Sequence, residues 1–192
     1  MRASVVCAVA LFLAACAGGA LPPDWQLGAR GALTQYQRYY LAGDTQLAEK
    51  EFASARAEIA RTGRLDLLAR AELVRCAVRT ASLEFDDCTG FEALRAEAGA
   101  EEVAYAEYLA GRATRAPGEE PLSQLVSAAL RMKSGALTPP EISTAIDAAS
   151  SQGWRRPLLA WLSVQAKRAE DSGDQAALVR IRRRIEFVTT GR

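Results

Sequence analysis

Apolar side chains from Asp24 onward recur every three or four residues, the spacing of one helical face, and no run alternates at period two for long enough to form a strand. Asp24 opens a stretch whose stripe is Trp25, Ala29, Ala32, Tyr36 and Tyr39, and Gly43-Asp44 closes it. A second helix carries Ala48, Phe52, Ala55 and Ile59 and stops at Gly63. Residues 65–83 have two stripes, Ala69/Leu73/Cys76/Leu83 and Leu67/Ala71/Val74/Val78, leaving Glu72, Arg75 and Arg79 on the remaining side. A helix apolar around most of its girth belongs at the centre of a core. Short helices come next, around Phe91–Ala96 and over 100–112. Another, 121–133, turns Leu122, Leu125, Val126 and Ala129 inward. Thr138-Pro139-Pro140-Glu141 reads as a capping box opening helix 139–152 with Ile142, Ile146 and Ala149 inside. Pro157 opens helix 157–171, with Leu158, Trp161, Leu162 and Ala166, and Gly173-Asp174 turns into a last helix with Leu178, Ile181, Ile185 and Val188. The fold class is all-α. Connections of two to seven residues predict antiparallel helical hairpins, stacked as a solenoid or gathered in an irregular bundle.

The N-terminus has a different pattern. Arg2 precedes a mainly apolar region from Ala3 to Ala15, thirteen residues against the roughly 20 that a membrane-spanning helix needs. That is the form of a secretory signal. The expected organisation is a signal peptide over 1–15, a tether over 16–23 and a single helical domain over 24–192.

Composition narrows the function classes. The 192 residues hold 24 basic and 23 acidic side chains, and such a balance lacks the basic surface that bulk nucleic-acid binding needs. There is no histidine, hence no His-ligated zinc, no Ser-His-Asp triad and no Cys-His pair. Phosphate-loop, nucleophile-elbow and Ser-x-x-Lys motifs are lacking too. No catalytic residue, metal-ligand set or cofactor is expected.

Leu13-Ala14-Ala15-Cys16 resembles the lipobox of bacterial lipoprotein signal peptides. The resemblance implies cleavage before Cys16, lipidation of its sulfur and new amino group, and anchoring to a bilayer. Ala17 comes next, where an acidic residue commonly retains Gram-negative lipoproteins at the inner membrane, so the resemblance implies an outer-membrane lipoprotein facing the periplasm. Cys16 to Asp24 spans eight steps, about 28 Å fully extended, which keeps the body near the bilayer surface. An ordinary signal peptide with a chance cysteine is the alternative.

A second resemblance is to the tetratricopeptide repeat. Gly43-Asp44 stands at an inter-helix turn with Ala48, Phe52 and Ala55 beyond it at the repeat's spacing, and Tyr40-Leu41-Ala42-Gly43 recurs as Tyr108-Leu109-Ala110-Gly111, 68 residues on, twice the 34-residue period. Position 77 carries no glycine, Pro117-Gly118 interrupts the second unit, and the early Trp-Leu-Gly of the repeat is missing.

With Cys7 removed and Cys16 acylated, Cys76 and Cys88 remain as a pair for an oxidising compartment; a disulfide between them requires the chain to double back directly after the helix. Two buried thiols are the alternative. The acidic pairs Asp86-Asp87, Glu101-Glu102 and Glu119-Glu120 fall at turns or first helical turns, where negative charge complements the helix dipole. Tyr36, Tyr39, Tyr40, Tyr105 and Tyr108 divide between two readings, the core or a peptide groove; Tyr36, Tyr40, Tyr105 and Tyr108 are the candidates for partner binding. Arg180, Arg182, Arg183 and Arg184 crowd the last helix opposite its apolar stripe, as a solvated face or, through Arg180, Arg183 and Arg184, as a contact for an anionic surface. The function expected is a non-catalytic, membrane-anchored module that binds an envelope protein or assists envelope assembly. A carboxylate-dependent cell-wall hydrolase and a structural spacer are the alternatives.

Overall fold

The computed structural model describes residues 22–115 and 118–191. Residues 1–15, read as a signal peptide, Cys16 and the tether up to position 21 lie outside the described residues. Helices are α1 Asp24–Ala42, α2 Thr45–Ala60, α3 Leu65–Ala81, α4 Thr89–Glu92, α5 Ala100–Leu109, α6 Pro121–Lys133, α7 Pro139–Ser151, α8 Arg155–Asp171 and α9 Gln175–Thr190, with a 3-10 turn at Arg95–Glu97. There is no strand among the described residues, so the all-α expectation holds.

Local chemistry sets the ends. Gly43 takes φ 98°, which lets Asp44 N–H reach back to Tyr39 O at 2.9 Å; the Asp44 carboxylate then accepts Leu47 N–H at 3.1 Å and starts α2. Gly173-Asp174 repeats this turn between α8 and α9, with Asp174 N–H on Ala169 O at 2.9 Å and Ala177 N–H on the Asp174 carboxylate at 2.9 Å. Thr138 donates its backbone N–H to Glu141 at 2.8 Å, as the capping signature predicts, and its hydroxyl donates to the same carboxylate at 2.6 Å.

Several boundaries differ from those the sequence predicts. Helix α3 ends at Ala81 and α7 at Ser151, short of 83 and 152. Helix α8 begins at Arg155, two residues before Pro157, because the first-turn N–H groups of any helix lack internal partners and a proline costs nothing there. The predicted helix around Phe91–Ala96 is a single turn at Thr89–Glu92 and then the 3-10 turn. Helix α5 ends at Leu109, because Gly111 enters the left-handed region and Arg112 N–H returns to Glu107 O at 2.9 Å. The connection from α5 to α6 is consequently longer than the expected seven residues.

Helix α3 is the hub. One side, with Ala71 and Val78, joins the first core cluster, formed with Ala29, Tyr36, Tyr40, Leu41, Ala48, Phe52 and Ile59 of α1 and α2. Its other side, with Ala69, Leu73, Cys76 and Ala77, meets Phe91, Leu125, Ile142, Ile146, Trp161 and Leu162 in the second. Even its polar side is covered. Glu72 is 5% exposed and pairs with Arg56, Arg75 meets Glu49 at 3.0 Å, and Arg79 meets Asp86 at 3.1 Å. Gly90 is packed so tightly on Glu72 that an added Cβ would lie 2.2 Å from its Oε2. Buried Trp161 of α8 donates its indole N–H to Ala81 O, a carbonyl at the end of α3, at 3.2 Å.

The helices pack in the sequence α3–α6–α7–α8, and α8 then returns to α1. This ring of contacts makes an irregular bundle, the second form of the expected architecture, rather than an open stack. The recurring Tyr-Leu-Ala-Gly segments do occupy equivalent places: each ends a helix, buries its Tyr and Leu, and puts its glycine at positive φ (98° at Gly43, 78° at Gly111). Their continuations differ, since α2 starts directly after Gly43-Asp44 whereas the next described helix beyond Gly111 opens only at Pro121.

Candidate functional site: a tyrosine-arginine cleft

The four candidate tyrosines separate into two environments. Tyr36 is buried with its ring 5.0 Å from Phe52, and burial is the main cause that raises its pKa, which the Arg75 and Arg79 charges offset only in part. Tyr40 is buried as well. Its hydroxyl donates to Glu84 Oε2 at 2.5 Å, and burial together with that bond raises its pKa. Tyr36 and Tyr40 are therefore core residues, which corrects the expectation that they line a partner groove: at this spacing on α1 they face α2 and α3. Tyr105, half-buried, and Tyr108, itself buried in the second core cluster, instead border a cleft.

That cleft has a volume of about 500 Å³ and lies between α3, α5 and α6, with Gln37 of α1 at one edge. Its apolar floor is Leu73, Val74 and Ala77 of α3 with Leu122 and Val126 of α6. Tyr105 and Tyr108 stand on α5 with ring centres 6.0 Å apart. Arg115, in the α5–α6 connection, rests its guanidinium over the Tyr105 ring at 5.5 Å and has no carboxylate partner among the described residues. Neither tyrosine hydroxyl is bonded to another described residue. Burial raises the Tyr105 pKa, with Tyr108 adding to the effect and Arg115 opposing it.

Acids also border the cleft. Glu101 and Glu102 come from the first turn of α5, and Glu120 from the residue before α6. Arg70 holds Glu102 by two contacts to Oε1, at 2.8 and 2.5 Å, and these lower its pKa. A carboxyl so held stays ionised and has no proton to give as a general acid. The pair Asp86-Asp87 lies in a separate cavity of about 310 Å³ with Glu92, Arg112 and Lys133. There Asp86 accepts Cys88 N–H at 3.0 Å besides pairing with Arg79, and Arg95 lowers the pKa of Glu92.

Cys76 and Cys88 lie at disulfide distance, with Cα atoms 5.6 Å apart. The required reversal is made by Leu83, at φ 61°, which brings Glu84 N–H back to Arg79 O at 2.9 Å; Cys88 itself sits at φ 48°. Asp86 joins the two cysteines as the one cluster of potential metal ligands among the described residues, but in the disulfide both sulfurs are bonded to each other.

Sequence reasoning missed one feature altogether. Arg156, at the start of α8, donates from Nε to Tyr40 O (2.7 Å), from Nη1 to Glu84 Oε1 (2.9 Å) and from Nη2 to Thr45 Oγ1 (2.6 Å), with its guanidinium 4.2 Å over the Tyr40 ring. It clamps α1, α2, the turn after α3, and α8 together.

On α9, Arg180, Arg182, Arg183 and Arg184 are all exposed. Arg182 approaches Glu170, and Arg184 approaches Ser150 Oγ, each at 3.4 Å. Arg180 and Arg183 have no partner among the described residues.

The chain matches none of the known protein families, characterised proteins or solved structures with which it was compared. No helix among the described residues is long and apolar enough to cross a membrane.

Proposed function

We propose that this chain is a bacterial lipoprotein, anchored through acylated Cys16 and facing the periplasm from the outer membrane, whose helical body binds a segment of another envelope protein in the Tyr105–Tyr108 cleft without catalysing a reaction. The anchor rests on the lipobox-like Leu13-Ala14-Ala15-Cys16. The Cys76–Cys88 pair at bonding distance is in keeping with an oxidising compartment.

The observation that carries the binding role is the state of the polar groups in the cleft. Arg115 has no carboxylate, and two tyrosine hydroxyls have no partner among the described residues, above a floor of leucine and valine. A concave apolar surface with a few unsatisfied polar groups is the ordinary make-up of a binding site. The fitting occupant carries an apolar side chain for the floor and a carboxylate for Arg115. Glu102, held ionised by Arg70, speaks against proton donation to a glycosidic oxygen.

A photocrosslinking amino acid at Ser123 of the full chain in living cells tests this reading. One envelope protein is expected in the crosslinked product, lost in Tyr105→Ala and in Arg115→Gln. Crosslinking that both variants leave unchanged sinks the cleft as the binding site. Mass spectrometry of the mature N-terminus tests the anchor separately, and an unacylated terminus refutes it.

A further inference from the structure

Helix α9 carries an outward face that packing does not explain. Its inner stripe, Leu178, Ile181, Ile185 and Val188, packs into the body. On the opposite side Val179, Arg183 and Phe187 stand at four-residue intervals with Arg180 beside them, all within an arc of about 100°. Val179 is 65% and Phe187 61% exposed, the two most exposed large apolar residues described. The flanking Arg182 and Arg184 lean toward Glu170 and Ser150, whereas Arg180 and Arg183 reach nothing among the described residues. The sole acid on the helix is Glu186.

We infer that the outer face of α9 lies on the anionic headgroup surface of the bilayer to which the chain is anchored. Exposed apolar side chains interleaved with unpaired arginines are the make-up of an interfacial helix, in which the rings and branched chains enter the acyl boundary while guanidinium groups meet phosphates. The sign of the charge names the occupant, since Arg180 and Arg183, unpaired among the described residues, against the one glutamate of the helix match an anionic surface and repel a cationic one. Proximity comes from the short tether, so the inference rests on the lipid-anchor reading above. Anchor and face together would hold the body at two points and fix which side of it the periplasm meets.

Full-length protein from membranes, carrying Phe187→Trp, tests this in vesicles of phosphatidylglycerol or of phosphatidylcholine, each with brominated acyl chains. Emission added over the parent chain reports position 187. Quenching is expected in phosphatidylglycerol at low salt, and its loss in phosphatidylcholine and in about 0.5 M salt, where the screening length falls to a few ångströms. Each cation near such a surface is worth about fivefold in partitioning, so Arg180→Gln with Arg183→Gln should weaken the contact about 30-fold. No added quenching in phosphatidylglycerol, while the chain floats with the vesicles, overturns the inference. So does equal quenching in both lipids. Position 187 shielded from acrylamide in whole envelopes but not quenched by brominated lipid means a protein covers the face, and this too overturns it. Flotation on phosphatidylcholine reports the anchor alone: a chain that floats only on phosphatidylglycerol, and only with Arg180 and Arg183, refutes the anchor and supports the face, while one that floats on neither refutes both.

Discussion

Arg156 offers the sharpest test of how the bundle is held. Its three hydrogen bonds, at 2.6 to 2.9 Å, tie four parts of the chain to one guanidinium, whose side chain is only 21% exposed. Charge-assisted bonds contribute about 1.5–3 kcal/mol when buried. Glu84 is 39% exposed and water competes for it, so about 1 kcal/mol per bond is the appropriate figure here. Stacking on Tyr40 adds about 0.5–1 kcal/mol. Arg156→Ala should therefore destabilise the fold by about 3–4 kcal/mol, a fall in midpoint of about 6–16 °C for a domain of this size. Arg156→Lys keeps the charge but loses the planar fork and should cost about 2 kcal/mol. Urea denaturation monitored by circular dichroism measures both, and a double-mutant cycle with Glu84→Gln should return a coupling of about 1 kcal/mol. A loss below about 1 kcal/mol for Arg156→Ala, or lysine performing as well as arginine, would refute the clamp.

Three further outcomes are expected. Replacing Cys76 and Cys88 together by alanine removes a crosslink of sequence separation 12 and should lower stability by about 3 kcal/mol; two titratable thiols from this pair in denatured, unreduced mature protein would contradict the bond. Gly90→Ala should cost about 2 kcal/mol by driving Glu72 away from Arg56, and much less in a Glu72→Ala background; equal losses in both backgrounds would disprove the steric account. Stability should hold steady from about pH 6 to 9, since the chain has no histidine. Below that range it should fall. Arg64 holds Asp66 at about 2, and Glu92, Glu102, Glu107 and Glu141 are lowered by Arg95, Arg70, Arg112 and Thr138, so the stability these groups contribute is present above their ordinary values of 3.8 to 4.5 and lost as protons bind. At the alkaline end Tyr36 and Tyr40 are raised, so their contribution is present below the ordinary value of 10 and lost above it. Absorbance at about 295 nm should show both ionising only as the protein unfolds, and two normal tyrosinate transitions in their place would contradict their burial.

Much of this architecture was legible where the signal is local. Gly43-Asp44, Gly173-Asp174 and Thr138-Glu141 each satisfy their own neighbours within a few residues, so helix ends could be read from them. The centrality of α3 came from its apolar girth. Proline was a weaker guide, since Pro157 marks a first turn and not its first residue. Tyr36 and Tyr105 look alike in sequence, and only the arrangement of α1 and α5 against α3 buries one and opens the other to a cleft. Arg156 was invisible for a similar reason: its partners lie 72 to 116 positions away, and nothing in the residues around it announces them.

The return of α8 to α1 also orders events in time. As the chain folds, the α1–α2 hairpin can zip up alone, since its contacts are local. Its Tyr40 end stays unlatched until Arg156, 116 positions further along, has docked on it. Closing such a long loop is slow compared with winding a helix. The hairpin that can form soonest is therefore among the last parts to be sealed, and throughout that interval the folding chain shows its greasy interior to whatever chaperone is at hand.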